Sequence, residues 1–353
     1  MVVPVRNRRT LLPQLIDELL QQNYPSDRFE VLVVDGRSTD GSADLVRRRY
    51  AQKHARVRVL DNPKMRSSAG RNVGIRAAAG DVIVFVDGGC SVPSRNLLED
   101  AAALLQQSGA GFLLRPQPLL GPAPTPVGET IAHATGNWLG RMRNPAGRDK
   151  KSRGLTNASL AGAAYPRQLF AQVGFFDETL DACEDREFIT RMDKAGIEGC
   201  VDARLTVYEV PQKNVRGLIR QMVCEGRCRI RLMRKHVGSG SLEQLAPMAL
   251  LSVVPLTALA WAMLPRFAAE VATVPLALMM GAILAASLQL GVSHGLAAAW
   301  RAPRIFAGMY CGLGWGLLAE ALRPAKAASV PVIVEVMRPR PELQVAEEIE
   351  RAA

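Results

Sequence analysis

The chain has 353 residues, of which 48% are hydrophobic and 22% are charged, and its formal net charge is +11. This length suits about two domains, and the composition excludes both a disordered chain and a short scaffold held by disulfides. The positive charge does not indicate nucleic acid, because only 5% of the residues are aromatic and no zinc-finger or homeodomain pattern accompanies the basic ones. We therefore expect no nucleic-acid partner.

Strands and helices alternate along the first 90 residues. Short apolar segments rich in β-branched residues are separated by segments in which apolar residues recur at helical spacing. The predicted strands are 2–5, 31–34, 57–60 and 82–86. Such alternation predicts an α/β domain with a mostly parallel sheet, covered by helices on both faces. Ligands bind beyond the carboxyl ends of such strands, so Asp35 and Asp87, which follow two of them, should line a site.

The middle of the chain is less regular. Residues 115–128 contain five prolines and residues 141–154 contain six basic residues, so both segments are predicted loops. Apolar residues resume at 155–165, and a helix is predicted from 184 to 195, where Gly196 ends it. The first domain is therefore expected to continue beyond this helix.

Beyond residue 240 the chain becomes strongly apolar. Residues 245–264 and 271–292 carry no charge, and each segment is long enough to cross a hydrocarbon core of about 30 Å. A third apolar segment, 305–322, contains Glu320 and four glycines, so both a spanning helix and an interfacial or packed helix remain open. Seven basic residues lie between 216 and 235, and the positive-inside rule therefore places the preceding domain in the cytoplasm.

These patterns divide the chain into four regions. They are an α/β domain at 1–210, a basic amphipathic interfacial helix region at 211–240, a membrane region at 241–325 and a tail at 326–353. The second region alternates basic with apolar residues and is expected to lie against anionic membrane lipid. The alternative for it is an ordinary solvated charged helix.

Cysteine usage and the N-terminus agree with a cytoplasmic domain. The six cysteines include no C-x-x-C pair, so reduced thiols are expected rather than disulfides or a zinc site. The apolar stretch at the N-terminus is too short for the core of a signal peptide, and no leader is expected. We therefore expect a multi-pass protein of the inner, cytoplasmic membrane.

The run D-G-R-S-T-D-G-S at 35–42 follows the second predicted strand. A carboxylate at the end of a strand, then a turn with glycine and small hydroxyl residues, offers acceptors to a ribose or base and backbone amides to phosphate. The alternative is an ordinary strand-to-helix turn with a helix-capping residue. No G-x-G-x-x-G run occurs here, so a dinucleotide-binding fold is not supported.

Two further acidic runs can carry chemistry. The first ends a buried strand with Asp87, Gly88 and Gly89, where an acid could hold a divalent cation and the glycines permit close approach of a substrate. The second, at 174–188, places several acids before a predicted helix, and one of them could act as a general base. The alternatives are a turn cap for the first run and favourable helix-dipole partners for the second.

Taken together and in order, six runs resemble family 2 glycosyltransferases. They are P-V-R-N at 4–7, D-G-R-S-T-D-G-S at 35–42, A-G-R-N-V-G at 69–74, F-V-D at 85–87, G-F-F-D-E at 174–178 and E-D-R-E-F at 184–188. The resemblance covers about residues 1–235 and is closest to the membrane-attached exopolysaccharide or succinoglycan-type branch. It implies a GT-A fold, a nucleotide-sugar donor, usually a UDP-sugar, a divalent cation, Mg²⁺ or Mn²⁺, and inversion at the anomeric carbon.

The resemblance also implies roles for single residues on the donor side. Asp35 would contact the uridine part of the donor, with Pro4 and Asn7 nearby. Arg71 would approach the nucleotide from the next helix. Asp87 would be the first acid of the family's Asp-x-Asp element and would hold the metal.

The catalytic base implied by the resemblance is Asp185, preceded by Glu184. On the acceptor side, the segment 157–165 is expected to shape the pocket, with Gly162 and Tyr165 as its candidate residues. The mechanism implied is a direct displacement, in which an acceptor hydroxyl attacks the anomeric carbon while positive charge stabilises the departing diphosphate.

The chain departs from the family pattern at two places. Gly89 stands where the family usually has a second acid, so metal ligation from the protein would rest on Asp87. The processive members carry Gln-x-x-Arg-Trp after the base, whereas this chain has Q-M-V-C-E-G-R at 221–227, without tryptophan. The resemblance therefore implies transfer of a single sugar.

We expect an inverting glycosyltransferase that moves one sugar from a nucleotide-sugar to a lipid-linked or membrane-presented glycan acceptor on the cytoplasmic face. The alternative, suggested by Gly89, is a catalytically weak donor-binding subunit that associates with other envelope glycan enzymes. A sugar nucleotidyltransferase is a third possibility, but its usual glycine-rich N-terminal signature is missing and membrane spans would be unexpected.

Overall fold

The structure is a computed structural model and describes residues 1–119, 123–142, 160–180, 182–236 and 245–324. Several sequence predictions lie outside these residues. They are the tail at 326–353, most of the loop at 141–154 and the start of the acceptor segment at 157–159.

Nine strands and thirteen α-helices follow one another along the described parts of the chain. The strands are β1 (Val2–Val5), β2 (Val31–Asp35), β3 (Val57–Asp61), β4 (Val82–Val84), β5 (Cys90–Ser91), β6 (Phe112–Pro116), β7 (Leu160–Pro166), β8 (Gly199–Val201) and β9 (Tyr208–Glu209). The helices of the first 240 residues are α1 (Leu12–Leu20), α2 (Ser42–Val46), α3 (Ser67–Ala77), α4 (Leu97–Ser108), α5 (Pro126–Gly136), α6 (Trp138–Met142), α7 (Leu169–Val173), α8 (Glu184–Lys194) and α9 (Val215–Lys235). The remaining helices are α10 (Ala246–Met263), α11 (Arg266–Ala272), α12 (Val274–His294) and α13 (Leu296–Ala321).

Seven of the nine strands form a mixed sheet, and β5 and β9 form a separate antiparallel pair. Strand β2 lies between β1 and β3 and is parallel to both, whereas β7 lies antiparallel between β4 and β6, which is parallel to β8. The two groups join where Val86 donates a backbone hydrogen bond to Val2, so the order is β3-β2-β1-β4-β7-β6-β8. The predicted α/β class is confirmed, and the four predicted strands are found at their expected places.

Apolar side chains cover both faces of this sheet. On one face, helices α1 and α4 bury Leu15 and Leu104 against the strands. On the other face, α3 and α8 bury Ile75 and Phe188 in a cluster rich in aromatic rings. Each fully buried side chain of this kind stabilises the fold by about 1.5–3 kcal/mol. The sheet is therefore a rigid support for the loops at the carboxyl ends of its strands.

Two apolar stretches are long enough to cross a membrane by length and composition, namely α10 and the continuous region Arg266–His294. Their buried shares are only 17% and 11%, so most of their apolar surface faces outward. Among the described helices, α13 is not in this group. These two stretches correspond to the first two predicted spans, and their orientation in a membrane stays a prediction.

Helix α13 packs along α9. Its small residues make this close approach possible, because a Cβ at Gly312 would lie 2.9 Å from the Cβ of Met222 and one at Gly316 would overlap the carbonyl oxygen of Val223. The third apolar segment is thus a packed helix for much of its length. This helix covers the apolar face of α9, the face that was expected to lie on lipid. Contact between α9 and a membrane stays a prediction.

Candidate active site

One buried arginine joins the acids that the sequence predicts to carry the chemistry. Arg71 on α3 is 3% exposed, and its guanidinium donates to Asp185 Oδ1 at 2.7 Å and to Asp87 Oδ1 at 2.9 Å. Its Nε lies 3.5 Å from Glu184 Oε1. Three segments far apart in sequence therefore meet at a single cation.

The local structure explains how each acid reaches this point. Asp87 follows β4, and the next residue must be small, because a Cβ at Gly88 would lie 2.9 Å from Val5 Cγ2 and 3.2 Å from the Pro4 carbonyl oxygen. Glu184 and Asp185 occupy the first turn of α8, where the helix dipole favours negative charge. The cluster therefore lies at the carboxyl end of β4 and the amino end of α8.

The electrostatics of the cluster leave one carboxyl group able to take up a proton. Removal from water raises the pKa of Asp185 to about 7, with Glu184 and Asp87 acting in the same direction and Arg71 opposing them. Burial alone would lower the pKa of Arg71, but attraction to the same three acids raises it. The raised pKa values of Arg71 and Asp185 agree with each other. The single guanidinium stays charged among three acids, but it cannot neutralise all three carboxylates.

The predicted donor-binding residues lie at the carboxyl ends of β1 and β2. Asp35 is 6% exposed, and its Oδ2 accepts a hydrogen bond from the Ser38 amide at 3.0 Å. Its other oxygen is buried and has no hydrogen-bond partner among the described residues. Pro4 pairs with Val34 in the sheet and precedes the loop that carries Asn7. A buried carboxylate oxygen without a partner is suited to accept a hydrogen bond from a ligand.

Asn7 ties the two loops together. Its backbone adopts a φ of +54°, its amide donates to Ser38 Oγ at 2.8 Å, and its side-chain oxygen accepts from the Thr39 amide at 2.8 Å. The D-G-R-S-T run is therefore held against the loop after β1. In the absence of a ligand, Asn7 is a positioning residue for the segment that contains Asp35.

The G-F-F-D-E run serves to anchor the loop before α8. The side chain of Asn72 on α3 bonds both the amide and the carbonyl oxygen of Phe176, and it also donates to Glu178. Arg191 on α8 donates to the carbonyl oxygens of Val173 and Phe175. The run thus connects α3 to α8 and holds the segment that leads to Glu184 and Asp185 at the start of α8.

The acceptor-side prediction for Gly162 and Tyr165 is wrong in this structure. Tyr165 is fully buried among aromatic rings, with centroids 5.5 Å from Phe188 and 5.8 Å from Phe85, and burial raises the pKa of its hydroxyl. A Cβ at Gly162 would overlap the tyrosine hydroxyl. Both residues therefore belong to the core behind the cluster and do not face an acceptor.

One buried cation beside the cluster was not predicted as a site residue from the sequence. Arg115, predicted as the start of a loop, lies in β6, is 1% exposed and donates to the Phe85 carbonyl oxygen at 2.6 Å. Burial lowers its pKa, and the Cys90, Asp87 and Asp185 side chains oppose this shift. The apolar residues directly before Arg115 were the available signal for a strand, but the following prolines obscured it.

The protein side chains at this site do not fit a metal centre of their own. Among the described residues, no group of three His, Cys, Asp or Glu side chains is arranged to hold a metal ion. Asp87 is paired with Arg71, and Gly89 contributes no side chain. A divalent cation would have to take its remaining ligands from the substrate.

Comparisons with known proteins agree with this geometry. Residues 1–174 match the family model described as glycosyl transferase family 2. The chain is therefore similar to glycosyltransferase family 2 over these residues, which are just under half of its length. It is 28% identical over 256 residues to the succinoglycan biosynthesis protein ExoA of Rhizobium meliloti, covering 70% of this chain and 74% of that protein.

Two further comparisons, one with a relative and one with a solved structure, show how much of the chain the similarity covers. The glycosyltransferase AglE of Haloferax volcanii is 30% identical over 113 residues, but these cover only 32% of this chain and about a third, 36%, of that relative. The structure of the mannosyltransferase PcManGT of Pyrobaculum calidifontis, in complex with GDP-Man and Mn²⁺, superposes with a TM-score of 0.60 and 20% identity, over 91% of this chain and 86% of that one. The chain therefore has a GT-A glycosyltransferase fold.

Proposed function

We propose that the protein is an inverting glycosyltransferase that moves one sugar from a nucleotide-sugar, with a UDP-sugar as the first candidate, to a lipid-linked or membrane-presented glycan. The match to the family model supports the reaction class, and the similarity to ExoA supports a role in polysaccharide biosynthesis. The observation that carries the proposal is the meeting of Asp87, Asp185 and Arg71 in one cluster, since it joins the donor side to a candidate base.

Asp185 is the proposed base. Its pKa of about 7 matches the pH at which it must exchange protons, and 22% of its side chain remains exposed, so an acceptor hydroxyl can reach it. In the reaction, the hydroxyl oxygen forms a bond to the anomeric carbon, and its proton passes to Asp185. The bond between the anomeric carbon and the diphosphate oxygen breaks, and its electron pair stays on that oxygen.

On the donor side, the proposal assigns Asp35 to the nucleoside, within reach of Asn7 and Pro4. The unpartnered carboxylate oxygen of Asp35 supports this role. Arg71 positions the acids, and its predicted contact with the nucleotide stays a prediction, as does a divalent cation at Asp87. A cation bound there would add positive charge beside the diphosphate.

The proposed location is the cytoplasmic face of the inner membrane. The two apolar stretches, α10 and Arg266–His294, would anchor the chain, and the basic residues of α9 would lie on the cytoplasmic side near anionic lipid. An acceptor held in the membrane would then lie close to the catalytic domain. Association with other envelope glycan enzymes is part of the same proposal.

A donor panel tests the function. The full chain, purified in detergent, is incubated with UDP- and GDP-sugars and an extracted membrane lipid fraction, and products are identified by mass spectrometry. We expect one donor to give a lipid product carrying a single added sugar, and Asp185→Asn to abolish it. Arg48→Gln is the matched control, because Arg48 is exposed and has no ion pair among the described residues. Nucleotide binding without turnover by any donor would instead support the weak donor-binding subunit.

A further inference from the structure

A basic cleft lies beside the candidate active site. It is a cavity of about 410 Å³ between the loop after β1 and the beginning of α9. Its charged lining residues are Arg8, Lys213, Arg216 and Arg220, and none of the described residues that line it is acidic. The cleft therefore concentrates positive charge at one place.

The four cations of this cleft have no acidic ion-pair partner in the part of the chain that the structure describes. None of the ion pairs found among the described residues includes any of them. All four residues are exposed. Like charges gathered around a cavity repel one another and raise the local concentration of anions. An anionic ligand of the cleft would relieve this repulsion.

The cleft is continuous with the donor side of the active site. Asn7, which holds the loop of Asp35, lines the cleft, and so does Val210. The amide of Val210 donates to the Gly89 carbonyl oxygen at 2.9 Å. A Cβ built at Gly89 would lie 3.5 Å from Arg8 Nε and 3.6 Å from Arg8 Cζ. A side chain at position 89 would therefore point at the Arg8 guanidinium.

We propose that Arg8, supported by Lys213, Arg216 and Arg220, binds the diphosphate of the donor and stabilises its charge as it leaves. This inference rests on the proposed function and deepens it. The resemblance implies a second acid at position 89, whereas this chain has Gly89 there, with the Arg8 guanidinium next to it. The guanidinium is suited to diphosphate oxygens because it offers several donors in a fixed plane and keeps its charge at all working pH values.

The covalent step needs no proton from Arg8. When the bond between the anomeric carbon and the β-phosphate oxygen breaks, its electron pair stays on that oxygen, and the guanidinium stabilises the new charge through hydrogen bonds. The acceptor proton still passes to Asp185. Arg8 and Asp185 thus act on the leaving group and on the nucleophile respectively.

Calorimetric binding of UDP, GDP and inorganic pyrophosphate to the full chain in detergent tests the proposal. Each is titrated in EDTA and in excess Mn²⁺. For wild type we expect pyrophosphate, and whichever of UDP and GDP binds more tightly, to bind in EDTA with an affinity within about threefold of that in Mn²⁺. Arg8→Gln loses a charge-assisted hydrogen bond, so it should bind that nucleotide and pyrophosphate about 10–100-fold more weakly. Arg48→Gln should match wild type, and thermal melting should show that Arg8→Gln folds.

A swap variant sharpens the test. In Arg8→Gln combined with Gly89→Asp, the cation is gone and an acid takes its place, so we expect nucleotide binding to depend on Mn²⁺ and to disappear in EDTA. The inference would be overturned if EDTA abolished nucleotide binding by wild type, or if Arg8→Gln bound nucleotide as wild type does. Neither result would overturn the proposed function, which the donor panel tests separately through sugar transfer. Pyrophosphate that binds in EDTA without competing with either nucleotide would overturn it too, because the cleft would then hold another phosphate.

Discussion

Replacing Arg71 by methionine removes the cation that holds the three acids together. Breaking a buried ion pair costs about 3–5 kcal/mol, and the lower end applies because the side chain of Asp87 is 36% exposed and partly solvated. In a domain of about 150–250 residues, 1 kcal/mol corresponds to about 2–4 °C in Tm. We therefore expect Arg71→Met to lower the Tm by about 6–12 °C at pH 8, measured by circular dichroism on the full chain in detergent.

The loss should shrink at acid pH. The pKa of Asp185 is already raised in the folded protein, chiefly by burial, and Arg71 opposes this rise, so removing Arg71 should raise it further above its unfolded value. A raised carboxyl pKa contributes stability that is complete below the unfolded pKa and is lost as the pH rises through the folded pKa. The difference between the variant and wild type should therefore be smaller at about pH 5 than at about pH 8.

The same comparison can refute the ion-pair argument. Arg48→Met is the control, since Arg48 is exposed and unpaired among the described residues, and it should melt with wild type at both pH values. A Tm of Arg71→Met indistinguishable from wild type at pH 8 would show that the cluster contributes nothing to stability. An equal loss at both pH values would show that lost packing, and not charge, is the cause.

Three further predictions follow from the same contacts. Asp185→Asn should lower kcat by about 10²–10⁴-fold without a fall in Tm, as expected for a base; unchanged transfer would exclude this residue. A general base must be unprotonated, and the pKa of Asp185 is about 7, so the wild-type kcat/KM should rise with pH up to about that value and then level off. Measured at intervals of about one pH unit from pH 5 to 8, a flat profile would contradict the assignment. Gly88→Ala should cost about 1–3 kcal/mol of folding free energy, because the new methyl meets Val5 at 2.9 Å; urea unfolding measures this, with Gly109→Asn, whose side chain would have open space, as a comparison.

The first half of the fold could be predicted because its strands are apolar runs of four or five residues followed by polar turns. Asp35 and Asp87 lie at or just after the ends of two of these strands, as expected, and the rule that ligands bind at the carboxyl ends of parallel strands makes them candidates for ligand binding. Strand β6 could not be found in the same way, since Pro116 and the prolines after it indicate a loop. Its assignment depends on backbone pairing with β7 and β8, which are distant in sequence and meet β6 only in the tertiary structure.

The site was predictable as a set of residues and not as an arrangement. The resemblance names Arg71 beside Asp87 and Asp185, but a sequence separation of 114 residues between Arg71 and Asp185 leaves their contact unspecified. That contact arises because the sheet order places β4 between β1 and β7. Tyr165 shows the opposite failure, since its position in the acceptor segment suggested a surface role and only packing reveals that its ring is buried.

The proposed base is also connected to helices α9 and α13. Helix α8, which begins with Glu184 and Asp185, carries the fully buried Glu187, and this carboxylate pairs with Lys235 and His236 at the end of α9. Helix α9 in turn packs along α13, where Arg231 donates to Glu320 at 2.8 Å. Because removing one partner of a buried ion pair is costly, we expect α8 and the end of α9 to move together. The position of the proposed base should therefore depend on how α9 packs along α13.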